Sequence, residues 1–304
     1  MDFSYKFTVF TPCYNSEKLL HRVFDSLQNQ SYKDFEWIVI NDASQDKTHE
    51  VIENFIAKAN FPVNYIRNEK NLMLSNNFNI AIREAKGEFF IPAGHDDEFS
   101  PETLYTFLNY WEKFGSDLYS GITCLCNDQF GNLIGDQFPE SPYFSNYFDV
   151  VYNIKVKGEK WGIIRTSVIK RFLLPEDVDL YVSEGLIWLG IGKEYKTIFI
   201  NEALRSYYIN EIGHASLSSI GKFGIKYPKG QRYLYLQMIN TFHKLIKHNY
   251  EIKIKNYINY IRLSLYVGIP FSKMFKDILL IQEKILFCIF FPIGFLFFIK
   301  MVKK

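Results

Sequence analysis

Along the first 120 residues, short β-rich apolar runs alternate with stretches whose apolar residues recur at helix spacing. The runs Lys6–Thr11, Glu36–Asn41, Val63–Arg67 and Glu88–Ala93 predict strands, with helices over Glu17–Asn29, Thr48–Ala59 and Ser75–Ala85 between them. Val51, Ile52, Phe55 and Ile56 lie on one face of the second helix, as a helix laid on a sheet requires. Ser100-Pro101-Glu102 offers an N-cap, a first-turn proline and an acid beside the helix dipole, and predicts a further helix to about Phe114. Alternation of this kind predicts an α/β fold with a doubly wound sheet flanked by helices. Ligands of such sheets bind outside the carboxyl ends of the strands.

Residues 115–221 are less regular, with turn signals at Gly131-Asn132 and from Pro139 to Pro142. Helical spacing returns after Gln231, first in Leu234, Met238, Phe242 and Leu245, then in Ile254, Tyr257, Ile258, Ile261 and Leu265. The run Ile285–Ile299 carries no charge and no strongly polar side chain. As a helix it would reach about 22 Å, short of a bilayer core about 30 Å thick. Pro292 and Gly294 predict an interruption, and with it a re-entrant or interfacial segment. The pattern divides the chain into a body, residues 1–221, and a helical tail, residues 222–304.

Hydrophobic residues at 48% and charged residues at 22% provide for a sizeable core and exclude wholesale disorder. Four cysteines are too few for a disulfide scaffold, and Cys124 and Cys126 have no neighbours to complete a zinc site. The net charge of +2 hides a division: the tail holds 15 Lys/Arg against three acids, +12, which leaves −10 for the body. A basic tail predicts an anionic partner surface. Its apolar end favours membrane lipid over nucleic acid, with an ordinary helical subdomain as the alternative. Met1-Asp2-Phe3-Ser4 lacks the basic-then-apolar layout of a signal peptide. Together these features predict a peripheral or monotopic protein on the cytoplasmic side of the cell membrane.

The chemistry-bearing residues gather at strand ends. Thr11-Pro12-Cys13-Tyr14-Asn15 follows the first strand, Asn41-Asp42 through Thr48 the second, and His95-Asp96-Asp97-Glu98 the fourth. Carboxylates gathered at one sheet edge repel one another unless a cation or a hydrogen-bonding ligand relieves them. No G-x-G-x-x-G or P-loop pattern follows any strand, so phosphates here would need a metal. Asp96 and Asp97 are the candidate holders, and oxygen-only ligands with a diphosphate suit Mn²⁺ or Mg²⁺. A solvated turn before the Ser100 cap is the plainer alternative.

Thr11 to Asn15, Val39-Ile40-Asn41-Asp42-Ala43-Ser44 with Asp46 and Thr48, Asn71 with Asn79, Ala85-Lys86-Gly87-Glu88 and the Asp96-Asp97 pair resemble family 2 glycosyltransferases in order and spacing. The resemblance is strong over residues 6–110, looser to about Ser219 and absent in the tail. It implies a GT-A fold, a nucleotide-sugar donor, a divalent cation and transfer with inversion. It further implies that Thr11, Pro12, Tyr14 and Asn15 line the nucleotide pocket with Asn71 and Asn79. Asp42 would accept a hydrogen bond from the base, and Asp96 would be the metal-binding acid of the family's D-x-D with Asp97 beside it. The sequence departs from the pattern at Gly94, which replaces the first acid, at Ala43, which replaces a usual glycine, and at Met73 and Leu74. His95 could compensate for the missing acid or be a turn residue.

For the second half, the resemblance implies an acceptor site and a general base. Glu184, in Ser183-Glu184-Gly185-Leu186-Ile187-Trp188, is the candidate base, with a helix N-terminal acid as its alternative. Trp161 could stack on a sugar or fill the core, and Arg165 and Trp188 are further acceptor-side candidates. Arg205 could face the diphosphate or form a surface ion pair, and His214 could touch the metal or diphosphate from a loop. The implied activity is transfer from a UDP-sugar to an acceptor hydroxyl, with a lipid-linked glycan of bacterial surface-polysaccharide assembly (capsule or O-antigen) as acceptor. A non-catalytic sugar-nucleotide-binding scaffold is the rival reading, motivated by Gly94. A sugar-nucleotidyltransferase is another, but Thr11–Asn15 lacks the glycine-rich loop expected of one.

Overall fold

The computed structural model describes residues 2–176, 181–209, 227–246 and 249–303. The chain forms two compact units, Met1–Leu174 with Gly190–Gly213, and Pro175–Leu189 with His214–Lys304.

The first unit is built on a nine-stranded sheet. Four parallel strands make its first half: β1 (Tyr5–Cys13), β2 (Phe35–Asn41), β3 (Val63–Arg67) and β4 (Gly87–Pro92). They stand in the order β3-β2-β1-β4, and β8 (Lys160–Arg165), β6 (Tyr119–Asn127), β9 (Lys196–Ser206) and β5 (Glu98–Phe99) continue the sheet. The short β7 (Tyr143–Ser145) also pairs with β9. β2 is buried along its whole length, with the apolar run Trp37–Ile40 and a buried Glu36 that accepts from the Thr8 hydroxyl and Lys86 N at 2.7 Å each. On β1 and β4 successive residues face opposite layers. Phe7, Val9, Phe89 and Ile91 join the core beneath α1 (His21–Gln28), α2 (Thr48–Lys58) and α4 (Thr103–Phe114). Phe10 turns the other way and meets Phe78 of α3 (Met73–Glu84) edge-on.

Two local expectations change. The Ser100 side chain does not cap α4; it meets the Thr103 hydroxyl at 3.1 Å, and the helix begins only at Thr103. The reason is that Glu98–Phe99 pairs with Ser206 and Arg205 of β9 and pulls the preceding chain into the sheet. In the second unit, Ile281–Val302 is one continuous 22-residue helix, so Pro292 and Gly294 do not interrupt it. Its length of about 33 Å exceeds a bilayer core about 30 Å thick, so the helix is not too short to cross one. Pro292 is exposed, whereas Gly294 is a close-approach residue. A Cβ there would stand 2.7 Å from the Cβ of Ile261.

Pro228–Asn240, Tyr250–Tyr266 and Phe271–Asp277 complete the helices of this unit that carry its core. Ile239, Tyr257, Tyr260, Ile261, Met274, Ile278 and Phe287 pack together there. Polar groups are buried with them: Glu283 accepts from the Tyr257 hydroxyl and from Lys253 Nζ at 3.2 Å. Arg232 bridges Asp277 at 2.5 Å and the Ser264 hydroxyl at 2.9 Å.

Candidate active site

Because β1, β2 and β4 are parallel neighbours, their carboxyl ends fall on one edge and bring three of the sequence clusters together. The first two are stitched by hydrogen bonds. Asn15 N donates to Ser44 Oγ at 3.0 Å, Gln45 N to Asn15 Oδ1 at 2.8 Å, and Ser16 N to Thr48 Oγ1 at 2.7 Å. Tyr14 and Asn15 are exposed at this edge and Pro12 is half-buried, while Thr11 is buried and accepts the Trp37 indole N–H at 3.0 Å.

Asp42 sits just past β2, and its carboxylate organises the segment after β3. Its Oδ1 accepts from Asn68 Nδ2 at 2.8 Å and Leu72 N at 2.7 Å, and its Oδ2 from Met73 N at 3.0 Å. Asn71 is exposed, and its side chain also accepts from Met73 N. Ala43 and Met73 hold left-handed backbone, with φ of 59° and 67°. These are two positions where the sequence departs from glycine, so the fold keeps the turn and bears the Cβ crowding.

After β4 comes the turn Gly94-His95-Asp96-Asp97. Asp97 is 2% exposed; its Oδ1 lies 2.6 Å from Arg205 Nη2, and its Oδ2 accepts the Gly94 N–H at 2.6 Å. Burial pushes its carboxyl up to about 6, against the pull of the Arg205 charge. Asp97 is therefore the partner of Arg205 and not an open metal ligand, which corrects one expectation. Arg205 is likewise buried and so is not a surface ion pair. Asp96 and His95 are half-buried. Among the described residues no three His, Cys, Asp or Glu side chains cluster as a metal site. Asp96 alone suits a cation that arrives with a diphosphate and draws most of its ligands from it.

Three other candidates take structural places. Trp161 is buried between Phe99 and Phe107 and donates to the Pro92 carbonyl at 2.5 Å, so it fills the core and is closed to a sugar. Arg165 pairs with Asp117 at 2.7 Å. Because β8 runs antiparallel to β4, Arg165 stands opposite Phe89, towards the far end of the strands from Asp96. Asn79 is buried and spends its amide on Leu174, donating to the carbonyl at 2.7 Å and accepting from the N–H at 2.9 Å. Cys13, Cys124 and Cys126 are buried thiols whose pKa values rise with desolvation, so none is a nucleophile at neutral pH.

Glu184 and Trp188 belong to the second unit. The Glu184 carbonyl accepts the Ile187 N–H at 2.8 Å and opens the helix Gly185–Glu194, on which Trp188 is half-buried. His214 lies outside the described residues, as do the acids Asp177 and Asp179. Sequence reasoning missed Asn68, which joins Asp42 to Asn77, and missed the link from Arg205 to Asp97. The available signal was an arginine directly after apolar Leu204 in a strand, since a buried cation requires an acid.

A family model described as glycosyl transferase family 2 matches residues 8–173. The chain belongs to this family. Among relatives of this glycosyltransferase, the GalNAc(5)-diNAcBac-PP-undecaprenol beta-1,3-glucosyltransferase of Campylobacter jejuni is 29% identical over 211 residues, 67% of this chain and 65% of the relative. The poly(ribitol-phosphate) beta-N-acetylglucosaminyltransferase TarS of Staphylococcus aureus is 31% identical over 115 residues, 37% of this chain and 20% of its own. The chain thus spans less than two thirds of either relative. The crystal structure of S. aureus TarS 1–349 with UDP-GlcNAc matches with a TM-score of 0.61 at 19% identity, covering 90% of this chain and 82% of that one. The mannosyltransferase PcManGT of Pyrobaculum calidifontis, in complex with GDP-Man and Mn²⁺, matches at 0.53 and 16% identity, over 81% and 65% of the chains. The fold is of the GT-A type.

Proposed function

We propose that the protein transfers a sugar from a UDP-sugar to an acceptor hydroxyl with inversion. The observation that carries this reading is the shared edge of β1, β2 and β4, where Asp42 after β2 and Asp96 after β4 flank the end of β1. In this reading Pro12, Tyr14 and Asn15 border the nucleotide, Asp42 accepts a hydrogen bond from its base, and Asp96 holds Mn²⁺ or Mg²⁺. A divalent cation bound there would offset the charge that develops on the leaving diphosphate. Glu184 removes the proton from the acceptor hydroxyl as that oxygen attacks the anomeric carbon and the bond to UDP breaks.

The acceptor in this reading is a lipid-linked glycan of bacterial surface-polysaccharide assembly, which the undecaprenol-linked substrate in the name of the C. jejuni relative supports. Residues 1–221 are the catalytic domain and 222–304 the membrane-associating tail. The last helix packs Phe287 and Gly294 inward, and Ile285, Ile289, Ile293 and Leu296 remain exposed. One packed stripe and one apolar outer face favour a helix lying in the interface of anionic lipid, on the cytoplasmic side. UDP release is the test, measured with individual UDP-sugars, Mn²⁺ and a polyprenyl-diphosphate-linked acceptor. Release that requires the acceptor supports transfer. UDP-sugar binding without release under any donor and acceptor pairing would favour the non-catalytic scaffold.

A further inference from the structure

The turn that presents Asp96 is held from a distant strand. Arg205 lies on β9 with its guanidinium buried, Nη2 at 2.6 Å from Asp97 Oδ1 and Nη1 at 3.4 Å from Glu159 Oε1. The second Asp97 oxygen accepts the Gly94 N–H at 2.6 Å, and the Asp97 N–H donates to the Gly94 carbonyl at 3.1 Å. One residue thus closes both ends of the four-residue turn, and β9 grips that residue. Two charges buried this deeply are tolerable only together, so the Asp97 side chain is committed to Arg205. Gly94 completes the arrangement. A Cβ at that position would stand 2.8 Å from Asp96 Oδ1 and 3.2 Å from Asp97 Oδ2, so the two carboxylates converge over a backbone stretch that has no side chain of its own.

We propose that Arg205 is a positioning residue of the donor site: through Asp97 and the Gly94 N–H it fixes the turn from which Asp96 meets the metal and diphosphate. The proposal rests on the role given above to Asp96. Arg205 and Asp97 touch neither substrate nor metal in it. Their effect is to keep the backbone on either side of Asp96 from relaxing when a doubly charged ion and a diphosphate compete for its carboxylate. Groups that orient a metal ligand in this way matter nearly as much as the ligand itself.

The test is calorimetric titration of UDP into the protein with and without Mn²⁺, read as the ratio of the two affinities. Arg205→Met and Asp97→Asn should each lower that ratio about 10–100-fold, the usual cost of losing such an orienting partner. Arg205→Lys, which keeps the charge without the planar fork, should recover most of it. A general weakening of the fold would lower both affinities together and leave the ratio unchanged. Arg205→Met strands the Asp97 charge, so a double variant carrying Asp97→Asn and Arg205→Met is included. It should unfold cooperatively on heating and still show the lowered ratio. A folded Arg205→Met or double variant with the wild-type ratio would overturn the proposal. So would loss of the ratio in Asp97→Asn alone, since Asp97 would then be a ligand itself. If Mn²⁺ fails to tighten UDP binding to the unsubstituted protein, the metal role of Asp96 is wrong and the positioning role falls with it.

Discussion

In the sheet unit Phe7, Trp37, Phe89 and Phe107 are fully buried, the buried Glu36 and the Asp97–Arg205 pair are satisfied by partners, and Asp42 and Asp96 stand past strand ends. In the helical unit Glu283 is 1% exposed among aromatic rings, while Ile281 is 72% exposed and Leu296 58% exposed. The Arg232–Asp277 pair, the Tyr257 hydroxyl and Asn256 add to this polar interior. The first arrangement sets Asp42 and Asp96 at one edge of a buried sheet. In the second, hydrogen bonds and ion pairs supply specificity between helices, and apolar surface is left outward. That distribution is the expected one where the surroundings are themselves partly apolar. The charge division, −10 before the tail and +12 within it, follows the same line.

The comparison can be broken at several points. The largest effect is expected at Glu184, where Glu184→Gln should lower transfer by about 10²–10⁴-fold while UDP-sugar binding is retained. Asp177 and Asp179 are nearby acids in sequence, and their Asn variants should keep most activity; loss in Asp179→Asn with retention in Glu184→Gln would move the base. At the sheet edge, Asp96→Asn should lower Mn²⁺-dependent turnover by about 10²–10³-fold, as loss of one strong electrostatic contributor does. Wild-type metal dependence in that variant would refute the assigned holder.

The helical unit is sharpened by pairing an inward with an outward change. Phe287→Ala should cost about 3–5 kcal/mol of stability, read by chemical denaturation, because a fully buried ring leaves a cavity. Ile285→Glu and Ile289→Glu should leave stability within about 0.5 kcal/mol, as is usual for surface sites. Each should nevertheless weaken sedimentation with anionic vesicles about tenfold, since a buried Ile contributes about 1.5–3 kcal/mol. Unaltered vesicle binding would mean that this face is not the lipid contact. The smallest effect is expected at the strained turns: Ala43→Gly and Met73→Gly should each raise stability by about 1 kcal/mol through relief of left-handed backbone. A fall in unfolding temperature would show that the Cβ contacts outweigh the strain.

The legible part of the fold was local. β1 to β4 and α2 coincide with their sequence patterns to within a few residues because β-rich runs and a helix-spaced apolar face are local signals, and Ile52 marks the inner face of its helix. Asp42 and Asp96 could be placed because a strand that ends in polar residues points them at one sheet edge. What escaped depended on partners far along the chain. Nothing near Asp97 announces Arg205, nothing near Asn79 announces Leu174, and the side of β8 that Trp161 faces is fixed only by its neighbours β4 and β6. Pro292 and Gly294 read as breaks because propensity is a local quantity, whereas the close approach to Ile261 that uses Gly294 is tertiary.

Asp42 also constrains how this protein could change over time. Its carboxylate is a knot that holds Asn68, Leu72 and Met73 before any ligand arrives. In its proposed role a substitution that altered the choice of base would untie that segment in the same step, so nucleotide preference is held fast by folding itself. The exposed side chain of Tyr14 carries no comparable debt to the core. Divergence among descendants of this chain is thereby steered away from the nucleotide and towards the groups that surround it.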